Sequence, residues 1–358
     1  MRTVIVYDRV NKWGGAERLL LSLNKIFPEA PLYTSVYSPD SAKWAKAFPK
    51  VSPSFLQKIP GALNNHDKLA LLMPLAFESF DFREFDLVIS VTSEAAKGII
   101  TRPETRHLCI CLTPTRYLWS GYDDYFNTLM KKSVSKIAVD YLRNWDKVAA
   151  QRPDTMIAIS KEVQKRIKKY YGRESEVIYP PAGELKTNNL KLKINTHDYF
   201  LIVSRLVSYK RVDLAIKVFN ELDLPLVIVG TGSEERKLRQ MSKKNIIFTG
   251  RLTESELANY YYRSKALVFP QKEDLGLVSL EAQNFGKPVI AFYGGGAKET
   301  VINNKTGVFF YTQSVSELKN ALKKFSGMKF SEKIIKKNSA RFSEKRFKIE
   351  LLKRIKNV

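Results

Sequence analysis

The sequence predicts an α/β protein built as two doubly wound parallel sheets, one in each half of the chain. From the first residues on, short β-branched runs alternate with amphipathic segments, which is the pattern of parallel strands covered by helices. In the second half each run is followed by glycine or polar punctuation and then a helical stretch. Between the halves, after Pro180 and Pro181, lies a polar, lysine-bearing stretch over 183–197 whose composition suits a linker. A chain of 358 residues also exceeds what one hydrophobic core usually serves. The expected organisation is a domain over 1–182, a second over 198–335, and a basic tail over 336–358.

In chain order, the first half offers strands at 3–7, 32–36, 86–90, 107–111, 155–159 and 176–179, and the second at 199–203, 226–229, 245–248, 266–269, 289–292 and 307–311. Thr253 followed by Glu256 has capping-box spacing and marks a helix start. No repeat at a solenoid period is evident. The segment 49–80 breaks the pattern, because Phe55, Leu56, Ile59, Leu63, Leu69, Leu71, Leu72 and Met73 are interrupted by Pro53, Pro60 and Pro74. Such material fits either a buried irregular crossover or a surface that meets a greasy acceptor.

Composition narrows the function classes. Hydrophobic residues make up 44% and charged residues 27%, as in ordinary globular proteins. Apolar runs such as 199–203 and 266–269 fall far short of the roughly 20 residues that cross a bilayer. The run at 3–7 is too brief for the apolar part of a secretory signal, so a cytoplasmic location is expected. Cys109 and Cys111, two apart on an apolar strand, share one face and read as reduced buried thiols. With three histidines in the chain, no zinc cluster is evident. The net charge of +24 concentrates anionic partners. Lysine and arginine crowd 131–152 and 319–356 at amphipathic helical spacing, which by default gives solvated basic faces; phosphorylated small substrates or an anionic membrane surface fit as partners better than nucleic acid.

Ligands of open α/β sheets sit at the carboxyl ends of strands, so the residues directly after each strand are the candidates for a site. After the run ending at Phe269 come Glu273, Asp274, Leu275, Gly276 and Leu277, then a helical stretch through Glu281. Backbone N–H groups and the macrodipole at such a helix mouth favour a phosphate. Glu281 lies about five residues in, roughly 7–8 Å from the mouth, which suits a carboxylate gripping a ribose diol. Glu273, just before the helix, faces the sugar in this reading. Two glutamates eight apart are common by chance, but after the run ending at Val203 the loop carries Arg205 and Lys210, cations suited to a diphosphate leaving group. Gly250, Arg251 and Leu252 close another strand, where exposed backbone could read a nucleobase edge. Near the N-terminus, Gly14 and Gly15 precede a helix and let backbone approach a phosphate, with a plain tight turn as the competing account.

Together these stretches resemble glycosyltransferase family 4 of the GT-B fold, in the branch acting on cell-surface polysaccharide and O-antigen. The matching residues are Gly14-Gly15-Ala16-Glu17, Ser204-Arg205 with Lys210-Arg211, Gly250-Arg251-Leu252, Glu273 through Glu281-Ala282, the run Thr113-Pro114-Thr115-Arg116-Tyr117-Leu118-Trp119, and Ile178-Tyr179-Pro180-Pro181. The resemblance implies two Rossmann-like domains with a cleft between them, the first binding the acceptor and the second the nucleotide sugar. It implies retaining transfer of a hexose-type sugar from a GDP- or UDP-linked donor to a hydroxyl of a lipid-linked or polysaccharide acceptor, with no cofactor and no obligatory metal. Arg205 and Lys210 would hold the diphosphate, Glu273 the donor sugar, Glu281 the ribose and Gly15 a phosphate. Gly14, Thr113, Arg116, Arg251, Leu252, Leu275, Gly276 and Leu277 would line the substrates, and the tail would cross back onto the first domain.

Two departures stand out. Relatives often carry histidine where this chain has Leu112, a side chain that neither donates nor accepts a hydrogen bond. Relatives often have asparagine at Ile159, before Ser160. Leu112 favours a rival reading, a weak or inactive nucleotide-sugar-binding protein in a membrane-associated synthesis complex. An epimerase or phosphorylase on the same architecture is a further alternative.

Overall fold

The computed structural model describes residues 1–63, 66–125, 129–183, 185 and 198–356; the stretch expected as a linker falls almost wholly outside them. The chain divides into two compact units, Met1–Pro181 with Phe347–Val358, and Ala182–Arg346.

The first unit contains β1 (Thr3–Tyr7), β2 (Leu32–Thr34), β3 (Val51–Pro53), β4 (Leu87–Thr92), β5 (Arg106–Cys111), β6 (Thr155–Ala158) and β7 (Glu176–Val177), in the order β3-β2-β1-β4-β5-β6-β7. Every pairing is parallel. The second contains β8 (Phe200–Val203), β9 (Leu226–Val229), β10 (Ile246–Gly250), β11 (Ala266–Phe269), β12 (Val289–Phe292) and β13 (Gly307–Phe310), in the order β10-β9-β8-β11-β12-β13, again all parallel. Parallel strands need helical crossovers that cover both faces, so β1, β4, β9 and β11 are buried along their whole length, and β9 and β11 read as unbroken apolar runs. In each unit the strand order reverses once, between β1 and β4 and between β8 and β11. Loops diverge there, and a crevice opens at the strands' carboxyl ends.

β3 is not among the strands expected from the sequence: it is a three-residue edge strand ending in Pro53, where no interior strand would tolerate proline. It stopped β10 too early, because a register shift between Phe248 and Gly250 carries the strand past its apolar run. The Thr253–Glu256 capping box is present. The segment 49–80 is part buried and part exposed: Leu56, Met73, Ala76 and Phe77 are buried, whereas Phe55, Leu71, Leu72 and Leu75 are exposed.

In the first unit the helix Leu129–Ala149 is keyed to the sheet by a buried ion pair, Lys97 Nζ to Asp146 Oδ1 at 2.5 Å. Burial opposes the lysine's charge, but the carboxylate beside it prevails and holds its pKa above the usual value. Asp146 also accepts from Thr115 Oγ1, Trp119 Nε1 and the Tyr171 hydroxyl, which fixes the loop 113–119. The helix Glu344–Lys356 buries Phe347, Leu351 and Ile355; Arg354 pairs with Glu176 at 3.0 Å, and Arg106 donates to the Ile355 carbonyl. Cys109 and Cys111 are buried free thiols on β5, and burial pushes Cys109 up to about 11.

His107 lies fully inside the same strand, its Nε2 2.8 Å from Ser90 Oγ. Burial, with the charges of Arg173 and Arg152, pushes the imidazole down to about 3. An unfolded chain binds this proton near pH 6.5, so between about pH 6.5 and 3 the unfolded state holds more protons and stability falls as pH drops. In denaturant unfolding, His107→Gln should reduce the loss of stability between pH 7 and pH 5 by about 2 kcal/mol. An unchanged pH dependence would contradict this account of His107.

Candidate active site

In the second unit the loops after β8 and β11 meet because those strands are neighbours across the order reversal. The loop after β8 makes a single 3₁₀ turn, Ser208–Lys210, and Arg211 follows in the left-handed region at φ 53. This turn drives the Lys210 side chain inward, leaving it 7% exposed with its ammonium against Glu273 Oε1. Lys210 also lies 5.0 Å from the centre of the Tyr209 ring, whose hydroxyl accepts from Arg205 at 2.6 Å. Arg205, Tyr209, Lys210 and Glu273 therefore form one connected cluster, with Arg205 at its exposed end.

Beyond Glu273, buried Leu275 and Gly276 lead into the helix Leu277–Asn284, with Leu277 half-buried at its mouth. Gly276 precedes the helix at φ 88, a left-handed conformation that favours glycine. No side chain caps this end, so its first N–H groups are not satisfied by a cap. The back of the helix is held by a buried polar network: Ser279 Oγ and Gln283 Nε2 donate to Thr300, and Asn338 Nδ2 donates to both Gln283 and Thr300. Glu281 is 3% exposed and has a different neighbour from Glu273, since its Oε2 accepts from the Tyr261 hydroxyl at 2.8 Å. Tyr261 stacks on Phe285 with ring centres 5.8 Å apart.

The remaining predicted residues are carried by other elements. Arg251 is exposed and Leu252 half-buried at the end of edge strand β10, two strands from β8. In the first unit Gly14 precedes the helix Gly15–Ile26 in an extended conformation open to any residue, with Gly15 exposed. Just inside, Glu17 is buried and accepts from the Tyr7 hydroxyl at 2.7 Å. Thr113 is buried and accepts from Arg166, Arg116 is half-buried, and Leu112 directly follows β5 with its N–H donating to the Thr92 carbonyl.

Three features of the second unit escaped the sequence reading. Tyr209 gave no signal because a loop tyrosine has no periodicity to mark it, and Tyr261 gave none because its partner Glu281 lies on another helix. Gly294, Gly295 and Gly296 did give one, as a glycine triplet directly after the run 289–292. The triplet packs on the Glu273 loop: the Gly296 N–H donates to the Glu273 carbonyl at 2.9 Å, and a Cβ on Gly295 would sit 2.1 Å from that oxygen.

With this geometry in view, comparisons with known proteins place the second unit. Residues 186–342 match the family model for glycosyl transferases group 1, a stretch that takes in most of the second unit. Among curated relatives, an uncharacterized glycosyltransferase of Methanocaldococcus jannaschii is 27% identical over 57% of this chain and 58% of its own length. A GDP-mannose-dependent monoacylated alpha-(1-6)-phosphatidylinositol monomannoside mannosyltransferase of Corynebacterium glutamicum is 31% identical over 47% and 52% respectively. The chain thus spans little more than half the length of these relatives. Among solved structures, Anabaena HepE in complex with UDP is 17% identical, with a TM-score of 0.71 over the whole of both chains. The fold is GT-B, two Rossmann-like parallel-sheet domains.

The glycine contacts yield a comparative test. A methyl at Gly295, at φ 59, collides with backbone, whereas one at Gly250, at φ 71, meets nothing within 4 Å. Both alanine variants carry left-handed strain of about 1–2 kcal/mol, but Gly295→Ala should lower the thermal midpoint clearly further. Equal midpoints would show that the two glycine loops do not pack as described.

Proposed function

We propose that this protein is a retaining glycosyltransferase of family 4 that moves a hexose-type sugar from a GDP- or UDP-linked donor to a hydroxyl of a lipid-linked or polysaccharide acceptor. The reading requires no cofactor and no obligatory metal, and places the protein in polysaccharide biosynthesis at the inner membrane face. One observation carries it: the Lys210 ammonium and the Glu273 carboxylate meet where the strand order reverses, beside the uncapped mouth of the helix Leu277–Asn284. Breaking a bond from sugar to diphosphate builds negative charge on the leaving group, and preorganised cations and N–H groups stabilise it most where they need not reorganise. Lysine has three donors, so holding Glu273 does not exhaust it. Glu273, anchored by Lys210 and by its own carbonyl's bond to Gly296, can present its second oxygen's side to sugar hydroxyls.

In this mechanism the acceptor hydroxyl attacks from the face the diphosphate leaves, with Arg205, Lys210 and the helix mouth stabilising the departing charge. Glu281 grips the ribose. The relatives support the donor class: one is named for dependence on GDP-mannose, and HepE is also known in complex with UDP-glucose. Gly14, Gly15, Thr113 and Arg116 are assigned to the acceptor-side unit on resemblance.

Leu112 sustains the second reading, a nucleotide-sugar-binding protein with little turnover. Thermal unfolding with UDP and with GDP tests binding, since a ligand of the native state alone raises apparent stability. Labelled donor sugar with lipid-linked acceptor tests transfer. Lys210→Ala should lower kcat about 10²-fold or more, while nucleoside diphosphate affinity changes by less than about tenfold. Unchanged turnover rejects the assignment, and nucleotide binding without any transfer selects the second reading.

A further inference from the structure

Past Glu273, the sheet of the second unit ends in a pair of exposed tyrosines. β12 and β13 pair Phe292 with Phe310, so the next residue of each strand, Tyr293 and Tyr311, stand side by side just beyond the carboxyl ends. Their ring centres are 5.2 Å apart, and Tyr293 meets Phe309 edge-on with centres 5.1 Å apart. The Tyr293 N–H donates to the Phe310 carbonyl at 2.8 Å, which carries the ladder one step further. Period-two alternation puts both tyrosines on the face of Ala291 and Phe309, which share a core with Ala282 of the helix Leu277–Asn284. Yet Tyr293 is 46% and Tyr311 58% exposed, and neither hydroxyl has a hydrogen-bond partner among the described residues. The result is a fixed surface of aromatic faces and available hydroxyls.

The pair is tied to the candidate site by backbone. Gly294 and Gly295 follow Tyr293 directly, and Gly295 forms a parallel bridge with Glu273. Neighbouring strands lie about 4.8 Å apart and two residues span at most about 7 Å, so the Tyr293 backbone lies within about 12 Å of that of Glu273. Gln313 adds a second tie, since its side chain donates to the Pro270 carbonyl at 2.7 Å and joins the loop after β13 to the loop after β11.

Position selects the occupant. In the order β10-β9-β8-β11-β12-β13, the nucleobase candidates Arg251 and Leu252 follow one edge strand, the tyrosines end the opposite side, and Glu273 follows a strand between them. Under the transferase reading Glu273 faces the donor sugar, so the ligand beyond it on the β12 side is sugar rather than base. A pyranose suits the surface: its axial C–H groups carry slight positive charge and lie on the negative face of an aromatic ring, and its hydroxyls meet the tyrosine hydroxyls. A lipid tail would leave those hydroxyls without a partner. Exposed Lys298, 5.8 Å from the Tyr293 ring centre, supplies a further donor. We propose that Tyr293 and Tyr311 form a saccharide-binding platform, which holds a sugar unit of the acceptor's glycan chain beyond the one that reacts. This narrows the acceptor to a glycan and rests on the transferase reading for the placement of the donor sugar.

The test is saturation-transfer NMR on the full chain, with the methyl α-glycosides of mannose, glucose and galactose and with mannotriose and maltotriose as probes. Wild type should transfer saturation to the ring C–H protons of at least one of them. Tyr293→Leu with Tyr311→Leu keeps an apolar cover on Phe309 without an aromatic face, and should weaken that binding at least about tenfold. Tyr293→Phe with Tyr311→Phe should lose less than the leucine pair. Tyr311→Ala, at the more exposed ring, should weaken binding about threefold, and carries the test if the leucine pair loses its circular dichroism. The thermal shift of wild type with UDP or GDP is read in parallel: its absence counts against the transferase reading and leaves saccharide binding standing. A wild type that gives no signal with any probe overturns the platform, whether or not nucleotide binds. So do folded tyrosine variants that bind saccharide as wild type does, or a uridine or guanosine signal lost in the leucine pair where no saccharide signal is. An oligomer that the leucine pair dissociates in sedimentation velocity, with saccharide binding intact, also overturns it, since the rings would then join copies of this chain.

Discussion

The contact between Lys210 and Glu273 depends on β8 and β11 being hydrogen-bonded neighbours although 63 residues separate the two side chains. Each strand delivers one loop to the same point, and the reversal of strand order leaves those loops no helix to run beneath. The contact is mostly buried, so each charge must keep its partner or exchange it for another of the same sign. That constraint shapes the neighbourhood. The glycine triplet after β12 allows backbone to lie against the Glu273 loop, and the Ser279, Gln283, Thr300 and Asn338 network fixes the helix that follows.

The first unit solves a similar problem with different residues. Asp8, at the end of β1, accepts from Thr92, Ser93, Ala95 and Ala96 across its own strand-order reversal. There a carboxylate is satisfied by the protein itself, chiefly by backbone N–H groups. In the second unit the carboxylate beside the reversal, Glu273 in the loop after β11, faces a lysine. Self-satisfied groups serve as scaffold, whereas groups that meet through flexible charged side chains can re-partner with a ligand at lower cost. The buried Lys97–Asp146 pair extends the scaffold outward, because it fixes both the 113–119 loop and the long helix Leu129–Ala149.

Much of the fold was legible because parallel strands buried on both faces must be continuous apolar runs, and such runs are visible without knowledge of their neighbours. The strands β1, β9, β11 and β12 begin and end where those runs do. The edges were harder, since β3 is held by pairing with β2 rather than by its own composition. Lys210 and Glu273 stood out because each follows a strand, while Tyr261 stood out in no way, lying in the last turn of a helix and gaining its meaning from the Glu281 carboxylate.

By itself the sequence determined two α/β halves, their strands, the strongly basic surface and the charged residues at strand ends, because each follows from local periodicity or composition. Only the tertiary structure decided which of those charges touch. It put Lys210 on Glu273, gave Glu281 to Tyr261, and set Tyr293 beside Tyr311. The reason is physical: a side chain's partner is set by strand order and helix rotation, which are resolved by burial and pairing across the whole domain.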